Sequence, residues 1–286
     1  MRRVLIAGCG YVGAAAAELF HKAGWAVEGW TRSEPATGEM RPGYELRAID
    51  LADERQVQSA PGRFDVVIHS ASTRGGDADA YRRVYFEGTR HLLDRFAGAA
   101  FLFVSSTSVY GQRAGEWVTE ESAAEPEHET GRILRGTEDL VLGREGSVAR
   151  FAGIYGPGRS ALLRKFLRGQ AVMDTAHDRF VNQVHRDDAA AALYLLGSGP
   201  AVAAPRIYNV ADDLPLPQRE CYRWLAERLE RSLPASGQAP APRKRGESNK
   251  RVSNARLRTA GWFPRFPTFM EGMEKSVLPG LDQDSL

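Results

Sequence analysis

GCGYVG, at residues 8–13, is the stretch that decides the fold of this 286-residue chain. An apolar run at residues 4–7 predicts a short buried strand, and an alanine-rich stretch at residues 11–23 predicts a helix that ends at Gly24. The string matches G-x-G-x-x-G, which alone is a weak signal. Between a strand and a helix it is typical of a turn that binds a dinucleotide.

Each glycine of the string has a separate physical task. Gly8 permits the tight turn, Gly10 lets the backbone approach a pyrophosphate, and Gly13 lets the helix lie close to the strand. Tyr11 and Val12 begin that helix, whose free N–H groups and positive dipole end favour phosphate. The alternative interpretation is a glycine-rich turn that binds no ligand.

The composition argues against several other classes of protein. Hydrophobic residues make up 43% and charged residues 26%, with a net charge of +2, so nothing indicates a nucleic-acid or membrane partner. Cys9 and Cys221 are too few for a disulfide framework, and we expect a cytoplasmic location. The histidines are scattered without the spacing of metal ligands, so no metal site is predicted.

Short apolar runs alternate with amphipathic stretches through the first half of the chain. Further strands are predicted at residues 26–31, 44–49, 65–69, 100–105 and 148–152, and long helices at residues 79–96 and 130–142. Alternating strands and helices predict an α/β fold with a doubly wound parallel sheet of the Rossmann type.

The pattern loosens after residue 155. A helix at residues 187–196, a strand at 206–210 and a helix at 218–231 are predicted. Segment 234–249 is rich in Pro, Gly and basic residues, which predicts a loop or a partly disordered stretch. We therefore expect a dinucleotide-binding domain at residues 1–152, with its sheet completed by about residues 203–212. Residues 153–286 are expected to form mainly a smaller, interleaved substrate-binding lobe.

The end of the second strand favours NADP(H) over NAD(H). NAD-specific sites place Asp or Glu there to bind the ribose 2′-hydroxyl, but this chain has Thr31 followed by Arg32, and Glu28 lies earlier in the strand. The Arg32 guanidinium suits a 2′-phosphate because it can make a charge-assisted bidentate contact. The alternative is that Arg32 stacks on adenine or faces solvent.

Residues that follow the third and fourth strands complete the predicted cofactor site. Asp50 can accept a hydrogen bond from the adenine amino group while Leu51 packs on the ring, although Asp50 also suits a helix N-cap. Ser70, Ala71 and Ser72 are small, and small residues at the carboxyl end of a strand leave room for a cofactor.

Longer segments of the chain resemble the extended short-chain dehydrogenases/reductases, of the nucleotide-sugar epimerase and dehydratase type. Besides the glycine string, the resemblance rests on residues 104–111, 150–158, 184–188 and 208–210. It implies an NAD(P)-binding Rossmann domain and a lobe that closes over a small-molecule substrate, often a sugar nucleotide. It also implies a possible homodimer, packed through the helices at residues 79–96 and 130–142.

The catalytic set that the resemblance implies is Asn, Ser, Tyr and Lys, and most of it is replaced here. Ser106 matches the serine, but Thr130 and Leu134 stand at the positions of the tyrosine and lysine, and Tyr85 stands at that of the asparagine. None of the nine tyrosines is followed four residues later by Lys. A threonine hydroxyl has too high a pKa to act as the acid/base near neutral pH.

Other residues are therefore considered for proton transfer. Tyr85 can direct its phenol towards a substrate, although an aromatic residue on a helix usually packs. Glu127, His128 and Glu129 can bring a titratable group to the cleft or can form an exposed loop. The basic run at residues 243–245, with residues 250 and 251, can receive a phosphate or can be a solvated loop.

Three hypotheses follow. The first is an NAD(P)-dependent oxidoreductase or epimerase-like enzyme with a non-standard acid/base, for which Ser106, Tyr85 and Thr130 are the candidate catalytic residues. The second is a non-catalytic NADP(H)-binding sensor or partner-binding protein. The third, a fold that has lost its cofactor, is opposed by the intact glycine string. We favour the first.

Overall fold

A parallel sheet of seven strands forms the centre of the molecule, in a computed structural model that describes residues 1–33, 43–73, 75–174, 178–199, 206–237 and 248–281. The strands of the described part are β1 (Arg3–Ala7), β2 (Ala26–Thr31), β3 (Glu45–Ala48), β4 (Val66–His69), β5 (Ala100–Ser106), β6 (Glu116–Val118), β7 (Ser147–Phe151), β8 (Gly153–Tyr155), β9 (Val172–Asp174), β10 (Phe180–Val181), β11 (Gln183–His185), β12 (Ile207–Val210), β13 (Leu216–Pro217), β14 (Ala235–Gly237) and β15 (Lys250–Val252). The helices are α1 (Tyr11–Lys22), α2 (Glu54–Ser59), α3 (Ala78–Tyr81), α4 (Gly88–Arg95), α5 (Glu129–Gly143), α6 (Ala161–Leu167), α7 (Arg186–Ser198), α8 (Gln218–Arg228), α9 (Ala255–Thr259) and α10 (Phe269–Gly272).

The order of the strands confirms the predicted doubly wound topology. The sheet runs β12-β7-β5-β4-β1-β2-β3, and every neighbouring pair is parallel. The chain winds outward from β1 to β3 and then crosses back to β4 on the other side of β1. The connections that follow β1 and β4 therefore run in opposite directions along the sheet. Where this happens, a crevice opens at the carboxyl ends of the two strands, and ligands of such sheets bind in it.

Helices cover both faces of the sheet because successive side chains of each strand point to opposite faces. In β1, Val4 and Ile6 lie in one core with α1 and α7, whereas Leu5 lies in the other core with α2, α4 and α5. A third core lies outside the sheet and includes Phe166 of α6 and Tyr222 of α8. All of its residues come from positions 155–281, and we call the elements around this core the C-terminal lobe, while β12 returns to the sheet as its edge strand.

The structure contains short strands and helices that the sequence analysis did not predict, and one predicted helix is divided. The helix predicted at residues 79–96 comprises α3, a π-helical segment Arg82–Glu87 and α4. Helix α2 was not predicted, because it is short and begins at the N-cap residue Asp53 rather than with an apolar repeat. Part of the predicted loop at 234–249 is strand β14, which pairs with β9. Among the described residues, no helix is long and apolar enough to cross a membrane.

A buried ion pair holds α5 against the sheet. The Glu138 carboxylate and the Arg150 guanidinium are both almost fully buried and form a bidentate contact, with Nη2···Oε2 at 2.6 Å and Nε···Oε1 at 3.0 Å. Ser105 of β5 also donates to Glu138 at 2.6 Å, and Arg150 donates to the Tyr110 hydroxyl at 2.8 Å. All the hydrogen bonds of the pair therefore come from protein groups, as a buried pair requires.

We expect Glu138→Gln to lower the free energy of unfolding by about 3 kcal/mol, because the Arg150 charge then stays buried without its counter-ion. Urea denaturation measures this change. The control is Asp139→Asn on the next residue, whose exposed pair with Arg135 contributes less than about 1 kcal/mol. Equal losses in the two variants would contradict the role assigned to the buried pair.

Candidate functional site

The glycine turn packs directly on the carboxyl end of β4. Gly8 has φ +104°, and a Cβ atom on it would lie 2.1 Å from the backbone nitrogen of Ala71. A Cβ atom on Gly13 would lie 2.3 Å from the carbonyl oxygen of Gly8 and 2.9 Å from Oγ of Ser70. Ser70 donates a hydrogen bond to that carbonyl at 3.0 Å. The structure thus brings four of the predicted cofactor residues into contact, and two of them must be glycine for steric reasons.

Gly10 lies in open space, unlike the other two glycines. A Cβ atom on it would meet nothing within 4 Å, and its φ is −99°. It is the N-cap residue of α1, and no side chain caps the N–H groups of that helix end. A free helix end beside an open glycine fits the pyrophosphate of a dinucleotide, because an anion can approach the N–H groups of Tyr11 and Val12.

Tyr11 links the glycine turn to segments far along the chain. Its hydroxyl donates to the Pro157 carbonyl at 2.9 Å, and the guanidinium groups of Arg159 and Arg186 lie over its ring, each 5.3 Å from the centroid. These two arginines bring positive charge to the start of α1. The sequence analysis did not predict them there, because no local pattern relates residues 159 and 186 to residue 11.

The carboxyl end of β2 offers an exposed arginine. Arg32 is exposed, and the Thr31 hydroxyl donates to the Ser33 carbonyl at 2.9 Å. Glu28 is buried and already bound by Trp30 Nε1 at 2.8 Å and by Arg47 Nε at 3.0 Å. Its carboxylate is therefore not available to a ribose hydroxyl.

Asp50 and Leu51 follow β3, as predicted. Asp50 Oδ1 accepts a hydrogen bond from Ala52 N at 3.0 Å, so the side chain stabilises the turn. Leu51 is buried, and its carbonyl oxygen lies 2.9 Å from Nδ1 of His91 in α4. Leu51 therefore packs beneath α4, and its contact with an adenine ring stays a prediction.

Tyr85 reaches the same edge of the sheet. Its phenol is hydrogen-bonded to Ser72 and Thr73 just beyond β4, and burial raises its pKa above the usual value of 10. The ring lies 4.9 Å from that of Tyr81 and near His69 at the end of β4. Tyr85 belongs to the π-helical segment, and such segments occur often at functional sites. Two predicted site residues, Tyr85 and Ser72, thus lie in contact.

Ser106 and Thr130 lie near the carboxyl end of β5, whereas Leu134 does not face a site. The Ser106 hydroxyl accepts a hydrogen bond from Ser108 N at 3.2 Å and begins the 3₁₀ turn Thr107–Val109. Thr130 is in the first turn of α5, which packs on that 3₁₀ turn. Leu134 is 3% exposed and lies in the core. No positive charge thus replaces the expected lysine at this position.

The acidic residues Glu127 and Glu129, at the start of α5, are held at the surface. Glu127 forms an ion pair with Arg113, and Glu129 lies 4.0 Å from Arg82, with more than half of each carboxylate side chain exposed. His128 is the N-cap residue of α5, but its side chain makes no capping hydrogen bond. The two carboxylates are thus neutralised by arginines.

His185 has a structural role in the lobe. Its Nδ1 accepts a hydrogen bond from Asp187 N at 3.2 Å, so its Nε2 donates to the Ser276 hydroxyl at 3.0 Å. Burial lowers the pKa of the ring to about 4, which keeps it neutral at pH 7.

The described part of the basic run is structural. Residues 243–245 lie outside the described residues, but residues 250 and 251 are in β15, which pairs with β6. Lys250 is buried, donates to the Ser248 hydroxyl at 2.9 Å, and has its pKa lowered to about 8 by burial. The Arg251 guanidinium lies over the rings of Trp117 and Phe180. The interpretation of residues 250 and 251 as a solvated loop is therefore wrong.

Comparison with known proteins supports the same interpretation of the fold and the turn. The profile of the NAD dependent epimerase/dehydratase family matches residues 4–132. The Escherichia coli K12 protein YeeZ is 29% identical over 222 residues, which cover 73% of this chain and 77% of YeeZ. The UDP-glucose 4-epimerase of Thermus thermophilus, in complex with NAD, is 22% identical, covers 96% of each chain and superposes with a TM-score of 0.78.

A solved structure from Methylobacillus flagellatus extends the match over the whole chain. This protein, which is assigned to the NAD-dependent epimerases/dehydratases, is 32% identical and covers 96% of this chain and 97% of its own. The TM-score is 0.78. The chain therefore belongs to the NAD-dependent epimerase/dehydratase family.

Proposed function

We propose that the protein is an NADP(H)-dependent oxidoreductase or epimerase-like enzyme that acts on a hydroxyl or carbonyl group of a small molecule. The observation that carries the proposal is the cofactor cradle, in which Gly10 is open and the N-terminus of α1 is uncapped. When bound, a nicotinamide cofactor supplies or accepts a hydride. The chain's own residues must then bind it, orient the substrate and move a proton.

The preference for NADP(H) rests on the end of β2. Arg32 is exposed there, and the carboxylate of Glu28 is taken by Trp30 and Arg47. A 2′-phosphate carries negative charge that a guanidinium binds well, whereas a 2′-hydroxyl usually requires a carboxylate. The Thermus epimerase binds NAD, so the preference is a property of this chain's own residues.

Tyr85 is the side chain that we assign as the proton donor. Its phenol lies beside Ser72 at the crevice edge, and its raised pKa keeps it protonated at neutral pH. A protonated phenol can donate to a developing alkoxide but is a poor base, so reduction of a carbonyl is favoured over oxidation of an alcohol. We assign Ser106 and Thr130 to hydrogen-bonding the substrate oxygen, because their hydroxyls do not titrate in the useful range.

The substrate class that we propose is a sugar nucleotide or a related carbonyl compound. The Thermus relative is a UDP-glucose 4-epimerase, and it shares the whole fold with this chain. The proposed substrate would lie between the carboxyl edge of the sheet and the lobe core around Tyr155 and Phe269.

A non-catalytic NADP(H)-binding sensor is the second candidate. The observation that favours it is Leu134, which is buried in the core and leaves no charge where the family resemblance implies a lysine. Such a protein would bind the cofactor and turn over nothing. Cofactor binding alone does not separate the two candidates, but turnover does.

We expect NADPH to bind more tightly than NADH in a calorimetric titration, and Arg32→Ala to weaken NADPH binding about tenfold to a hundredfold by removing charge-assisted hydrogen bonds. NADH binding should not change. The control is Arg63→Ala, an exposed arginine that precedes β4 at the opposite edge of the sheet. Equal binding of the two cofactors would contradict the assignment of Arg32.

We expect substitution of Gly10 to affect cofactor binding and substitution of Gly8 to affect stability. Gly10→Ala should leave the free energy of unfolding within about 1 kcal/mol of the wild type, since its Cβ meets no neighbour, but should weaken NADPH binding by blocking the phosphate. Gly8→Ala should lose more than about 2 kcal/mol because of its positive φ and its contact with Ala71. Urea denaturation and calorimetry measure the pair. Unchanged NADPH binding in the Gly10 variant would overturn the proposed cradle.

Turnover tests the assignment of Tyr85. We expect NADPH oxidation with some member of a panel of carbonyl compounds and sugar nucleotides, and Tyr85→Phe to reduce kcat about a hundredfold or more while NADPH still binds. The control is Tyr81→Phe, the neighbouring tyrosine in contact with it. Turnover that survives in Tyr85→Phe would remove Tyr85 as the acid, and no turnover with any compound would favour the sensor.

A further inference from the structure

A groove with an apolar floor lies on the C-terminal lobe, on one side of α6. The groove runs between α6 and the chain near Val277 and has a volume of about 380 Å³. Leu163, Leu167 and Val277 form its floor, and these side chains continue into the buried core of the lobe. This volume is at the lower end of the range of small-molecule sites, about 300–1,000 Å³. We call it the α6 groove.

Three arginines line this apolar floor. Arg159, Arg164 and Arg168 all line the groove, and all three are exposed. Within the part of the chain that the structure describes, none of them pairs with a carboxylate. Other arginines of the same lobe do pair, for example Arg228 with Glu274. The groove lining thus concentrates positive charge that no described carboxylate neutralises.

The spacing of the charges makes this arrangement unfavourable without an anion. Arg164 is in the last turn of α6, and Arg168, four residues later, is the C-cap residue of that helix, so their like charges are neighbours. Arg159 stands at the other end of the groove, where its guanidinium also lies over the ring of Tyr11. An anion between them would offset the repulsion, and guanidinium groups bind phosphate and carboxylate with matching geometry.

The other residues that line the groove indicate the chemistry of the rest of the ligand, beyond its anionic group. None of the described residues that line the groove has an aromatic ring on which a base could stack, and the hydroxyl of Ser160 already accepts a hydrogen bond from Leu163 N at 3.3 Å. Such a surface is not suited to recognise a nucleotide base, which requires stacking and hydrogen bonds to the base. Its aliphatic side chains favour an aliphatic body, because burial of apolar surface is what they offer.

We propose that the α6 groove is a binding site for an anionic amphiphile, with its phosphate or carboxylate head on the arginines and its aliphatic chain on the leucine and valine floor. This site adjoins the cradle at Gly10, because Arg159 lines the groove and also lies over the ring of Tyr11, but binding of the amphiphile does not depend on the proposed enzymatic function. A small amphiphile suits it better than a protein partner, because the volume of about 380 Å³ lies in the range of small-molecule sites and nine residues line it, whereas a protein interface usually involves about 20–30 residues on each side.

Calorimetric titration of the full chain with decyl phosphate, below its micelle concentration, tests the proposal without any cofactor. We expect one bound molecule, and binding weakened about tenfold or more in Arg164→Glu and in Arg168→Glu, because each charge-assisted hydrogen bond contributes about that factor. Lys165→Glu is the matched control, since Lys165 is an exposed cation of the same helix that does not line the groove. It should change binding much less.

Inorganic phosphate and decanoate complete the experiment. Decanoate should compete with decyl phosphate, because both carry an anionic head on an aliphatic chain, and inorganic phosphate should bind far more weakly. If Lys165→Glu and Arg164→Glu weakened the binding of decyl phosphate equally, the effect would come from the net charge of the protein and not from the groove, and the proposal would be overturned. Inorganic phosphate that binds as tightly as decyl phosphate would overturn the role of the apolar floor, and absence of binding would overturn the site itself.

Discussion

The close packing of the glycine turn on the end of β4 is the constraint on which the remaining structure depends. Gly8 approaches Ala71 so closely that a single added carbon would lie 2.1 Å from a backbone nitrogen. This contact sets the separation of β1 and β4 at the point where the winding of the sheet reverses. It therefore determines where α1 begins, and Gly10 is left facing open space at the helix end.

The buried pair between Glu138 and Arg150 provides the second constraint. Thr130, Leu134 and Glu138 are spaced four residues apart, so they lie along one face of α5. The bidentate contact of Glu138 determines the rotation of the helix about its axis. Leu134 is then directed into the core, and Thr130 is placed beside the turn that follows Ser106. The substitution at residue 134 is consequently compatible with packing while it removes a charge.

The proposed chemistry of the site is divided between backbone geometry and individual side chains. The proposed phosphate cradle consists of backbone groups at Gly10 and the start of α1, so it does not depend on the side chains elsewhere in the crevice. Proton transfer depends on the pKa of individual side chains, and burial of Tyr85 and His185 shifts both pKa values towards the neutral form of the group. Reduction by a neutral phenol and simple cofactor binding are both consistent with such a site, which is why turnover is the measurement that separates them.

Sequence patterns were sufficient to predict the positions of the sheet strands, of the glycine turn and of most of the helices. Strand and helix periodicity is local, and a glycine at a tight turn is required by sterics within a few residues. The strands β1, β2, β4 and β5 accordingly lie within a residue of the predicted positions. The short helix α2 was missed because a capping side chain, rather than an apolar repeat, begins it.

By itself, the sequence determined the doubly wound fold and the position of the glycine turn between β1 and α1, because both follow from local backbone geometry and hydrophobic periodicity. Only the tertiary structure decided which side chains meet. It placed Arg159 and Arg186 over Tyr11, bound Glu28 to Trp30 and Arg47, and brought the phenol of Tyr85 to Ser72. These contacts join residues from distant parts of the chain, and their distances depend on how the helices pack on the sheet, which no local pattern encodes.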